Sequence, residues 1–102
     1  MTTLIERSRI VNDTSDLGRA IVTLSIEKAL IDVGKPVYAL VLDRLETDKT
    51  TIPDFYEDPA YLQLLLEELF GAAHGEIIKS IKKYLEEFSD QVQIKNFLNS
   101  LN

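Results

Sequence analysis

Apolar positions recur at helical spacing along most of the chain, and the breaks between them carry recognisable stop and start signals. In "TSDLGRAIVTLSIEKALIDVGKP", Leu17, Ile21, Leu24 and Lys28 form one row, while Val22, Ile26, Ala29, Leu30 and Val33 widen the apolar side. Thr14, Ser15 and Asp16 each offer an oxygen to cap free amides at its start. Gly34 is expected to close it in the left-handed conformation, and Pro36 forbids unbroken continuation. Pro36 suits the first turn of a second helix, "PVYALVLDRLETD", with Val37, Leu40, Val41 and Leu45 inward and Asp43, Arg44 and Glu46 outward.

Asp58-Pro59 is the clearest helix start, a capping carboxylate followed by a proline where no amide hydrogen bond is lost. The helix "PAYLQLLLEELF" is apolar around nearly its whole circumference and stops at Gly71, which predicts a central place in a bundle. "AAHGEIIKSIKKYLEEF" predicts a further helix with Ile77, Ile81, Leu85 and Phe88 in one row and Ile78 and Tyr84 beside it. Gly75 near its start is a place for a close helix crossing. A short last helix, "QVQIKNFLNSL", directs Ile94, Phe97, Leu98 and Leu101 inward, with Asp90 and Gln93 spaced as a capping box. Residues 1–13 show no sustained period and read as an arm or short helix ahead of a single helical domain over 14–102. The fold class is therefore all-α, a compact bundle of four to five helices. A short extended segment near Thr50–Ile52 is the one departure that the β-favouring residue types there allow.

Composition sharpens this without redirecting it. With 102 residues there is room for one core, and 45% hydrophobic beside 27% charged residues places the chain among folded domains. No cysteine is present, so disulfides, thiolate metal sites and cysteine nucleophiles are excluded. No apolar run reaches the roughly 20 residues needed to span a bilayer, and "MTTLIERSR" is no signal peptide, which gives the expectation of a cytoplasmic protein without membrane contact. The net charge of -6 lies entirely in the middle third, where residues 36–71 hold eight acidic and two basic side chains. That field opposes phosphate backbones and argues against nucleic acid as a partner.

Candidate chemistry is thin. Asp54, Glu57 and Asp58 crowd one segment, yet their spacing fits no EF-hand loop; helix-end electrostatics explain them better than a metal site. His74 is the one imidazole, with no second histidine or cysteine to complete a metal set and no triad spacing around it. Lys79, Lys82 and Lys83 are followed by Glu86 and Glu87 on a solvated face, Lys82–Glu86 and Lys83–Glu87 being i, i+4 pairs. Glycine-rich phosphate loops are absent. No catalytic, cofactor-binding or metal residue is assigned, and no enzyme is expected. Phe55 and Tyr56 read first as core or staple contacts near Tyr61 or Leu62; one left exposed would anchor a partner, as would Leu4 and Ile5 on the N-terminal arm.

The segments "IEKALIDVGKPVYALVLDRLE", "DPAYLQLLLEELFG", "IIKSIKKYLEEF" and "IKNFLNSL" resemble the small archaeal helical domain called the Nitrosopumilus output domain, over roughly Ile26 to Leu101. The resemblance implies an output or effector module of signalling chains, and it brings no catalytic residues. The resulting expectation is a non-enzymatic regulatory or adaptor module that binds a protein partner or itself. The alternatives are a helix-turn-helix-like regulator around Gly34–Pro36, or a small-molecule sensor with an interhelical pocket lined by Tyr38, Tyr61, Phe70 and Tyr84.

Overall fold

A computed structural model describes the backbone from Thr2 to Leu101 and the side chains from Asp16 to Leu101. Five helices follow one another: α1 Thr2–Val33, α2 Lys35–Thr47, α3 Pro59–Phe70, α4 His74–Leu85 and α5 Val92–Ser100. A 3₁₀ turn at Ile52–Tyr56 joins α2 to α3, and shorter ones follow α3 and α4. No strand occurs among the described residues, and the all-α bundle expected from the sequence is what the chain forms.

The first helix departs most from expectation. Where an arm or short helix was expected ahead of Thr14, residues 2–13 are helical and α1 runs unbroken from Thr2 through Thr14–Asp16. Those caps have nothing to cap: no proline interrupts residues 2–33, and Thr, Ser and Asp inside a helix cost only fractions of a kcal/mol each. At 1.5 Å per residue, α1 is about 48 Å long, close to the molecule's 53 Å long axis. Its buried face is Gly18, Val22, Ser25, Ile26, Ala29 and Leu30. The Leu17–Leu24 row, read as part of the apolar side, lies outward instead, each leucine about half exposed. Val33 is also exposed.

Gly34 makes the whole corner between α1 and α2. Its φ is positive, as expected of a closing glycine, but at φ 158° and ψ 141° it lies outside the left-handed helical conformation, in a region that favours glycine. Its amide donates to the Leu30 carbonyl at 3.1 Å, and its own carbonyl accepts from Val37 and Tyr38 at 3.0 and 3.1 Å. Val41 and Leu45 are buried on α2, while Leu40 stays half exposed. The helix closes through Lys49 at φ 58°, whose successor Thr50 returns an amide hydrogen bond to Leu45 at 3.0 Å. Thr51 is extended where it caps the 3₁₀ turn, and Ile52 already belongs to that turn, so no strand forms near Thr50–Ile52.

Asp58 caps α3 as read from the sequence, accepting from the Tyr61 amide at 3.2 Å. Leu62, Leu65 and Leu66 are fully buried, and Gly71 ends the helix at φ 55°, ψ -127°. Ile77, Ile78, Ile81 and Leu85 form the buried face of α4. Gly75 has open space where a side chain would go; the close crossing falls at Gly18, against Tyr56 and Gln93. Asp90 caps nothing, since α5 starts later, with Gln91 at its N-cap and no side-chain cap. Both α1 and α3 pack against α2, α4, α5 and the 3₁₀ turn, so one continuous core joins every helix.

Candidate functional site

The acidic segment is taken apart by its own local structure. The Asp54 carboxylate accepts from the Thr50 hydroxyl at 2.8 Å and from the Thr51 amide and hydroxyl at 2.9 and 3.0 Å. These hydrogen bonds, led by the Thr50 hydroxyl, hold its pKa below the ordinary carboxylate value. Arg19 reaches across from α1, 3.4 Å from Asp54 and in a close ion pair with Glu57. Asp58 is spent on the α3 cap. The three carboxylates thus serve three structural ends, and among the described residues no three His, Cys, Asp or Glu side chains are arranged to hold a metal ion.

Phe55 is fully buried, with its ring centroid 5.6 Å from that of Tyr61. This corrects its assignment as a partner contact. In a 3₁₀ turn, positions three apart share a face, and Ile52 and Phe55 therefore enter the core together. Tyr56 is half-buried, stacked on Phe97 at 6.3 Å and 19°, with its hydroxyl against Gly18. The side chains of Leu4 and Ile5 lie outside the described residues; their backbone belongs to α1.

A polar cluster ties α2 to α3. Arg44 donates to Asp48 at 3.0 Å and pairs closely with Glu68, while the Tyr61 hydroxyl donates to Asp48. Burial, with the Asp48 hydrogen bond second, pushes the Tyr61 phenol up to about 12, and the same bond lowers Asp48. Tyr84 likewise donates to Asp32, joining α4 to α1. Tyr38, Tyr61, Phe70 and Tyr84 all pack on the core, and none of them lines the four surface grooves described. His74 Nδ1 donates to the Gly71 carbonyl at 2.8 Å, which steadies the turn between α3 and α4. The lysines of α4 border a groove of mixed charge, with Glu76 and Glu86 among them.

What the surface does offer is apolar. Leu17, Leu24 and Ile31 are exposed at 52%, 53% and 44%, seven residues apart on the outward face of α1. Leu42 is 40% exposed on α2. Beside the leucine row runs a groove of about 460 Å³ lined by Asp16, Arg19, Ala20, Thr23, Leu24, Glu27 and Pro53. It shares Glu27 and Pro53 with a second of about 360 Å³ that continues to Leu42, Leu45, Glu46 and Ile52. Periodicity placed these leucines on a helix but could not tell an outward face from an inward one. The role of Arg19 had no sequence signal, since its partners lie 35 and 38 residues away.

No protein-family model, curated protein or solved structure matches this chain.

The candidate site is therefore a surface, the α1 ridge with the groove between α1, Pro53 and α2. Its lining joins apolar side chains to the carboxylates of Asp16, Glu27 and Glu46. No helix among the described residues is long and apolar enough to cross a membrane.

Proposed function

We propose that this chain is a non-enzymatic regulatory or adaptor module that works by holding a protein against the outward face of α1 and its groove with α2. The exposed row Leu17, Leu24 and Ile31 carries this reading. Isolated surface leucines are ordinary, but a row at heptad spacing beside an apolar groove is the form that takes up another helix. A role as a signalling output module of archaeal, cytoplasmic type accords with the resemblance to the Nitrosopumilus output domain. The acidic middle third and the engagement of Arg19 and Arg44 in ion pairs speak against nucleic acid on this face. A photo-crosslinking amino acid placed at Leu24 in cells that make the protein tests the reading. It should capture one defined protein, while the same probe at Glu87 should not. Equal, scattered labelling from both positions refutes it.

A further inference from the structure

We infer that the partner segment seated in the α1–α2 groove is an amphipathic helix whose apolar stripe is flanked by lysine or arginine. This rests on the docking face proposed above and names what fills it. The apolar lining is Ala20, Leu24, Leu42, Leu45, Ile52 and Pro53, with Leu45 and Ile52 buried at its base, and the acidic lining is Asp16, Glu27 and Glu46. No ion pair with a described side chain occupies any of those three carboxylates. The one cation in the lining, Arg19, is turned to Asp54 and Glu57. Lys28 and Lys49, the nearest lysines in the chain, are not among the lining residues. An apolar trough whose free charges are all negative among the described residues complements an apolar stripe with positive margins.

The secondary structure of the ligand follows from the same surface. Asp16 to Glu27 spans three turns, about 16 Å of α1, and the ridge beside it presents leucine-type side chains every seventh residue. That spacing is met by the knobs of another helix, not by the two-residue period of a strand. No sheet edge exists among the described residues for an extended peptide to join. A second copy of this chain is the poorer occupant. A two-fold pairing would bring Asp16 and Glu27 of one copy against like charges of the other, between bodies that each carry a net charge of -6.

The test uses the full chain and two synthetic helices of about 20 residues with leucine at a and d, one with lysine and one with glutamate at e and g. Their like charges keep each peptide from pairing with itself. By fluorescence anisotropy, the lysine peptide should bind at least about tenfold more tightly than the glutamate peptide. The preference should shrink between about 50 mM and about 300 mM salt, as a rim-charge effect must. Leu24→Gln should weaken both peptides, and Glu27→Lys with Glu46→Lys should abolish or reverse the preference. Glu86→Lys with Glu87→Lys makes the same change in net charge in the 3₁₀ turn after α4, outside the groove lining, and should leave the preference in place. Circular dichroism confirms that each variant keeps its helix content. Equal binding of the two peptides, a preference insensitive to the groove pair, or a wild-type dimer dispersed by Leu24→Gln overturns the inference. If the crosslink at Leu24 nonetheless captures a protein, the docking face stands and only this partner chemistry falls. If that crosslink is also absent, both fall.

Discussion

Gly18→Ala should destabilise the domain, although the same change at an open helical site stabilises. Gly18 lies inside α1 and is buried where that helix meets Tyr56 and α5. A Cβ there would stand 2.8 Å from the Tyr56 hydroxyl oxygen, 3.2 Å from Gln93 Cβ and 3.3 Å from Tyr56 Cζ. Helix propensity favours alanine by about 1 kcal/mol, whereas overpacking a close contact costs about 1–3 kcal/mol. The hydroxyl is the tip of a side chain and can yield, but its ring is stacked on Phe97 and Gln93 Cβ is fixed to the α5 backbone. The net expectation is a loss of up to about 2 kcal/mol, which for a domain of this size lowers Tm by several degrees. Gly75→Ala is the internal control: nothing lies within 4 Å of its Cβ position, and it should gain about 0.5 kcal/mol. Urea titrations followed by circular dichroism measure both. In a Tyr56→Phe background the nearest oxygen is gone, so the Gly18→Ala penalty should fall. If Gly18→Ala stabilises as much as Gly75→Ala, and Tyr56→Phe changes nothing, the close crossing is not a real constraint.

Three further outcomes are expected. Gly71→Ala forces a side chain into φ 55°, ψ -127° and should cost about 1–3 kcal/mol through backbone strain alone, whereas Lys49→Gly, relieving a φ of 58°, should be neutral to stabilising; thermal melts decide both. Leu30→Ala, in the core, should cost about 2–5 kcal/mol, while Leu24→Gln on the outward face should stay within about 0.5 kcal/mol; equal costs would mean that α1 is turned the other way. Asp48 and Asp54 have folded pKa values below their unfolded ones, so their contribution is complete above the unfolded pKa near 4 and is lost as pH falls through the lower folded value. Asp54→Asn should therefore flatten the acid limb of stability against pH below about 4, and an unchanged limb would remove Asp54 from that account.

Where local chemistry decides, residues and structure agree. Asp58-Pro59 opens α3 and Gly71 ends it, because a cap and a positive φ are settled within a few residues. Where distant parts decide, they part company. Thr14–Asp16 offer a sound cap, but a helix runs through a cap that nothing obliges it to use. Leu17 and Leu24 against Val22, Ile26, Ala29 and Leu30 are two apolar faces on one helix, and the choice belongs to α4, α5 and the 3₁₀ turn that pack on it. Phe55 and Tyr56 are adjacent aromatics, separated only by the three-residue period of a turn that composition does not announce. The candidate surface was illegible for the same reason: outward leucines become a site only once the inward ones are known.

The packing of α1 also sets a timetable for synthesis. This helix is made first, yet one of its main partners, α4, ends at Leu85, about 50 residues after Val33. At 5–20 residues per second, the part of the inward face of α1 that α4 covers stays unsheltered for about 3–10 s. The ribosome-bound fragment is therefore a stickier object than the finished domain, and a natural client for a holding chaperone.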